Sequence, residues 1–187
     1  VEVDVVTDQS TLKPTTENVS DLIFNAWISP QGNRAVFEAR GDIFSVPAED
    51  GFISNLTRSQ GVAERTPAYS PDGQYVAYWS DETGEYELVL RNLVEGTAET
   101  VTSYGAGFRY QPYWSPDSKK LAFVDKAMVI QIYDLDRERT VRVDKGLWMT
   151  HGALIGFKPS WSHDSKWLAY SRGLENRHGA IYLFDTE

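Results

Sequence analysis

The 187-residue chain has no cysteine, which excludes disulfide bridges and thiolate metal sites but leaves its redox compartment open. Basic residues are scarce: 18 Lys and Arg stand against 27 Asp and Glu, a formal charge of -9 at pH 7. Nucleic-acid binders displace counterions with clustered Lys and Arg, so this balance argues against nucleic acid and against an anionic membrane surface. No run approaches the roughly 18 consecutive apolar residues of a membrane-spanning helix. The start, Val1-Glu2-Val3-Asp4-Val5-Val6, has neither the basic segment nor the apolar stretch of a signal peptide. It also lacks an initiator Met, so the sequence reads as a piece of something longer and says little about compartment. Sustained helical periodicity is missing as well, which points to strands.

What the sequence does have is a repeat. Ser29-Pro30-Gln31-Gly32, Ser70-Pro71-Asp72-Gly73, Ser115-Pro116-Asp117-Ser118 and Ser162-His163-Asp164-Ser165 are variants of one tetrapeptide, with serines 41, 45 and 47 residues apart. Those periods suit propeller blades of four strands, about 40 to 50 residues each. Serine opens a type I turn with its hydroxyl, proline presets the next φ, and glycine fits the exit, so each tetrapeptide is a hairpin corner. After each corner comes an aliphatic–small–aromatic strand: Ala35-Val36-Phe37, Val76-Ala77-Tyr78, Leu121-Ala122-Phe123 and Leu168-Ala169-Tyr170. An aromatic precedes the serine in three units, as Tyr69, Trp114 and Trp161, whereas Ile28 holds that place in the first.

Third strands follow at 42–46, 86–90, 129–133 and 180–184, and fourth strands near 53–57, 99–102 and 140–143. The fold expected is therefore all-β: one partial β-propeller of four-stranded antiparallel blades over residues 1–187, three complete and the fourth incomplete. The lead-in covers 1–22, the blades 23–57, 66–103, 111–144 and 157–187. A β-sandwich with regular hairpins is the competing architecture, but it gives no reason for one corner at a blade-like period. Open blade faces lined by residues of the Ala35, Val76, Leu121 and Leu168 type, and an unpaired edge near Ile181 to Phe184, are expected to make the piece associate with further blades or another copy.

The repeats resemble those of TolB, of the prolyl oligopeptidase and dipeptidyl peptidase IV proteases, and of tricorn proteases. The strongest likeness is to the start of the second, seven-bladed propeller of tricorn proteases. It is carried by Phe37-Glu38-Ala39-Arg40-Gly41-Asp42-Ile43-Phe44-Ser45-Val46-Pro47-Ala48, by Asn55-Leu56-Thr57-Arg58, and by Gly61-Val62-Ala63-Glu64-Arg65-Thr66-Pro67-Ala68-Tyr69-Ser70-Pro71-Asp72-Gly73. Ser80-Asp81-Glu82-Thr83-Gly84-Glu85-Tyr86-Glu87-Leu88 extends it. The resemblance implies a serine peptidase parent that trims oligopeptides, homo-oligomeric and cytoplasmic, with the periplasm as the alternative. Its nucleophile and histidine would lie downstream, so no catalytic residue is carried over.

The residues themselves agree that chemistry lies elsewhere. There is no Gly-x-Ser-x-Gly elbow, no phosphate loop and no dinucleotide fingerprint. His151, His163 and His178 stand singly without metal-motif spacing, so neither a metal nor a cofactor is expected. What remains is a surface. Loops joining each outer strand to the next inner strand gather around a propeller's channel, and here they span Arg58 to Thr66, Tyr104 to Gln111 and Lys145 to Lys158. They carry six candidate binding residues: Glu64, Arg65, Arg109, Tyr110, Trp148 and His151. Arg can clamp a peptide carboxylate and aromatics can stack on side chains; the bland alternative has Glu64 and Arg65 bracing adjacent blades. A peptide-guiding propeller is the leading expectation, with peptides or unfolded polypeptide, the remaining blades and a catalytic core as partners. A TolB-like scaffold for a protein partner is the runner-up.

Overall fold

The computed structural model describes residues 15–146, 154–176 and 178–187, and three of the four corners close in one way. Ser70 Oγ donates to Asp72 Oδ1 at 2.5 Å and accepts the Tyr75 N–H at 2.9 Å, while the Gly73 N–H bonds the Ser70 carbonyl at 2.9 Å. Ser115 with Asp117 and Ser162 with Asp164 repeat the arrangement. At Ser29, where Gln31 replaces the acid, the hydroxyl donates to Asn33 Oδ1 instead. The corner serines are thus engaged in turn chemistry. Each corner's fourth residue has a positive φ: 70° at Gly32, 74° at Gly73, and 61° at both Ser118 and Ser165.

Each corner joins the first two strands of a blade. Blade 1 is β1 (Ile23–Ile28), β2 (Arg34–Ala39), β3 (Asp42–Pro47) and β4 (Ser54–Asn55). Blade 2 is β5 (Glu64–Tyr69), β6 (Tyr75–Ser80), β7 (Glu87–Asn92) and β8 (Ala98–Thr100). Blade 3 is β9 (Tyr113–Trp114), β10 (Lys120–Val124), β11 (Val129–Asp134) and β12 (Arg139–Lys145), and blade 4 is β13 (Ser160–Trp161), β14 (Trp167–Gly173) and β15 (Gly179–Asp185). Every sheet is antiparallel in chain order, giving three four-stranded blades and one of three strands. The architecture is the expected all-β propeller.

β5 begins at Glu64, inside the stretch expected to be loop, because the β5–β6 ladder slips between Arg65 and Ala68. The slip accommodates Thr66 at φ 49°, which a β-branched residue rarely adopts. The second strands of blades 2 and 3, β6 and β10, are apolar on both faces because a blade packs on each side of them. In β6 this buries Val76, Ala77 and Trp79 to 1% exposure or less. Trp79 meets Phe123 edge-on at 5.0 Å, and such fully buried side chains contribute about 1.5–3 kcal/mol each.

Val76, Leu121 and Leu168 are all fully buried, which corrects the expectation that these residues line open blade faces, whereas Ala35, the equivalent residue of blade 1, is only half-buried. Each of the three buried residues points into a joint between blades; Leu168, for example, packs with Ala122 and Ile132 of blade 3. The exposed apolar residues sit elsewhere, as Phe24 and Ile28 on β1 and as Ile181 and Leu183 on β15. β15 alternates exposed and half-buried positions, with one face on β14's side of the core and the other open.

Candidate functional site: a cleft on the channel side

Counting back from the corner serine places equivalent residues of the four inner strands. Four residues before it stand Asn25, Thr66, Gln111 and Lys158; two before it stand Trp27, Ala68, Tyr113 and Ser160. Side chains two apart on a strand share a face. All four residues of the first set, with Trp27 and Tyr113 of the second, line a single cleft of about 380 Å³ where the inner strands converge. Trp27 and Tyr113 meet edge-on across it, ring centroids 6.2 Å apart. Phe108 and Tyr110 form a second edge-on pair at 5.0 Å, and Phe24 stands exposed at the rim.

The candidate residues divide between two places. Arg65 and Tyr110, both five before a corner serine, line the cleft. Glu64 and Arg109, both six before, turn away into the joints between blades and are 3% and 7% exposed. Trp148 and His151 lie outside the described residues. Glu64 and Arg65 are successive residues of β5 and point to opposite faces, while the slip after Arg65 lets Thr66 reach the cleft as well; Arg109 and Tyr110, ahead of β9, divide in the same way.

Arg109 is engaged by the protein's own backbone. Its Nη1 donates to the carbonyls of Tyr86 at 2.7 Å, Gly105 at 3.0 Å and Gly107 at 3.1 Å, and its guanidinium lies 4.8 Å from the Tyr104 ring centroid. Burial pushes the Tyr104 hydroxyl up to about 12. Tying three carbonyls of the blade 2–3 connection is a bracing role, not the peptide clamp expected of Arg109.

Glu64 belongs to the joint between blades 1 and 2. Its N–H bonds the Gly41 carbonyl at 2.7 Å, its Oε1 accepts from Ser59 Oγ at 2.5 Å, and its buried Oε2 has no partner among the described residues. Burial pushes this carboxyl above its usual range, opposed by the Ser59 and Thr57 hydroxyls and reinforced by Asp42 and Asp81. Beside it Glu38 Oε2 accepts from Asn25 Nδ2 at 2.6 Å and from the Thr66 N–H at 2.8 Å. Thr66 keeps its positive φ with that N–H engaged, and its buried Oγ1 at the cleft has no partner among the described residues.

Arg65 remains at the surface. Its guanidinium rests 5.7 Å from the Tyr86 ring centroid, a cation–π contact, and it makes no ion pair with a described carboxylate. Asn25, Thr66, Gln111 and Lys158 were not singled out from sequence, though the fixed offset from the corner serine was available to find them. Among the described residues no group of three or more His, Asp or Glu is placed to hold a metal ion, and no helix is long and apolar enough to cross a membrane.

Comparison with known proteins bears on this arrangement. No curated protein matches the chain significantly. Among solved structures, TolB from Acinetobacter baumannii matches over 96% of this chain and 45% of its own, with TM-score 0.64 and 19% identity. A putative TolB from Agrobacterium tumefaciens matches over 88% of this chain and 58% of its own, with TM-score 0.65 and 20% identity. The tricorn protease matches over 93% of this chain but 17% of its own, with TM-score 0.72 and 15% identity. The chain spans about half the length of the TolB structures, and at these identities the likeness shows a shared propeller fold. A family model covers almost all the strands, from residue 23 to 187, and by that match the chain belongs to the family of the tricorn protease second beta propeller domain.

Proposed function

We propose that this propeller is a non-catalytic guide, presenting extended peptides along its channel to a serine-peptidase centre elsewhere in a tricorn-like parent. The observation that carries the reading is the cleft: a polar side chain from β1, one from β5 and one from each segment leading into β9 and β13, framed by paired aromatics, on the side where a propeller's channel runs. Aromatic faces grip varied side chains while amides and hydroxyls bond a passing backbone, which suits a conduit better than a site for one small molecule.

The test is fluorescence anisotropy with dye-labelled unstructured peptides. Saturable binding is expected, weakened several-fold by Trp27→Ala and Tyr113→Ala, with the peptides intact by mass spectrometry afterwards. No binding, or binding indifferent to both substitutions, overturns the proposal. The second reading, a TolB-like scaffold for a folded partner, has in its favour Phe52 and Val94, 92% and 80% exposed at the outer hairpins of blades 1 and 2. On that reading a defined partner would be lost with Phe52→Ser and Val94→Ser while the cleft substitutions leave it bound.

A further inference from the structure

The charge of the cleft is opposite to that of the chain. The chain carries a formal charge of -9, yet the ionisable side chains on the cleft wall, apart from tyrosine, are Arg65 and Lys158, both cationic. Among the described residues neither makes an ion pair. Glu38 stands behind the wall, its Oε2 already taken by Asn25 and the Thr66 N–H. Gln111 Nε2 makes only long bonds, 3.3 to 3.4 Å, to the Thr66, Pro67 and Pro112 carbonyls. The buried Thr66 Oγ1 has no partner among the described residues. The wall therefore offers two free cations, weakly held amide donors and a spare hydroxyl beside aromatic rings.

We infer that the cleft selects peptide by charge, taking stretches in which a carboxylate lies next to an aromatic or apolar side chain and disfavouring basic ones. The inference rests on the peptide-guiding reading and adds the substrate class to it. Arg65 and Lys158 receive the carboxylate, and the edge-on pairs Trp27–Tyr113 and Phe108–Tyr110 receive the neighbouring side chain. A basic peptide meets two like charges with no carboxylate on the wall to offset them, and like-charge contacts in a partly dry cleft are costly. The carboxylate could come from Asp and Glu side chains or from a peptide's C-terminus, since both present the same two oxygens.

The experiment uses peptides of one length carrying a neutral dye and one Phe, flanked by Asp, Asn or Lys, each made as the free acid and as the C-terminal amide. Asp peptides are expected to bind roughly tenfold tighter than Lys peptides at low salt, with the gap narrowing as salt rises. The double variant Arg65→Gln/Lys158→Gln is expected to bring all three to within about twofold, while urea unfolding shows it still folded. Lys119→Gln, paired with Asp136 away from the cleft, serves as the control and should keep the full preference. A fall in the affinity of all three peptides on amidation identifies the C-terminus as the source of a carboxylate; affinities unchanged by amidation identify side chains. Equal binding of Asp, Asn and Lys peptides that still falls with Trp27→Ala overturns the charge selection and leaves the guiding role standing. Binding of none overturns both.

Discussion

The joint between blades 1 and 2 and the joint between blades 2 and 3 use the same backbone geometry but different chemistry. Between blades 2 and 3, beside the Arg109 brace, the bonds come from indoles and a hydroxyl. Trp79 Nε1 donates to the Tyr110 carbonyl at 2.8 Å, Trp114 Nε1 to the Ala68 carbonyl at 3.0 Å, and the Asp72 N–H to Ser118 Oγ at 3.0 Å. The joint of blades 3 and 4 repeats two of these, Trp161 Nε1 to the Tyr113 carbonyl and the Asp117 N–H to Ser165 Oγ. Blades 1 and 2 have neither. Tyr69 stands where the tryptophan would be, and Gly73 where the serine would be, with Gln31 packed so close that a Cβ there would meet its Nε2 at 3.0 Å. That joint relies on the buried carboxylates of Glu38 and Glu64. Repeated propeller joints thus tolerate exchange of apolar, hydrogen-bonded and ionic closures.

The largest expected effect separating the joints is at Trp79. Trp79→Ala removes a side chain that is 1% exposed together with its bond to Tyr110, and should lower stability in urea unfolding by about 3–5 kcal/mol. Trp161→Ala, at a half-buried indole, should cost roughly 1–3 kcal/mol. Equal losses would mean that the blade 2–3 joint is no more central than its neighbour.

A smaller effect is expected at Ser118, which combines φ 61° with the clip to Asp72. Ser118→Ala keeps the unfavourable backbone and loses the acceptor, costing about 1–2 kcal/mol. Ser118→Gly loses the acceptor but relieves the backbone, and should be roughly 1 kcal/mol better than the alanine variant. If the alanine variant matches the wild type, the clip contributes nothing and the serine is there for the turn alone.

The smallest and most specific effect is the pH response of the ionic joint. A carboxyl raised above its usual 4.5 holds its proton in the folded state at pH values where the unfolded chain has released it. The folded state then binds more protons, so stability falls as pH rises from the ordinary carboxyl range through the raised folded value. Glu64→Gln keeps the acceptor for Ser59 and removes the charge. Urea midpoints measured from about pH 4 to about pH 8 should show that part of the decline in the wild type and not in the variant. An unchanged slope would place the titration elsewhere.

Much of this molecule could be read before its structure. The tetrapeptide corner, its period and the aliphatic–small–aromatic strands carry the fold because they are local or periodic: a serine bonding its own turn needs no distant partner, and a strand apolar on both faces needs a neighbour on each side. The candidate site was legible only in part. Placing the loops on the channel side led to Arg65 and Tyr110 at the cleft, but the same reasoning put Glu64 and Arg109 with them.

Composition and repeat alone determined an acidic all-β propeller of four-stranded units, and the likeness of the run from Phe37 to Leu88 pointed to the tricorn propeller family. Tertiary structure alone decided which charges are free. Glu64 and Arg65 are adjacent in sequence, yet the first is enclosed between blades and the second faces the cleft, because successive side chains on a strand point to opposite faces and only the packed blades decide which face is covered. Likewise Arg109 pairs with no acid among the described residues but is held by the carbonyls of Gly105 and Gly107 in its own loop and of Tyr86 in blade 2, and the last is in reach only once the loop packs against blade 2.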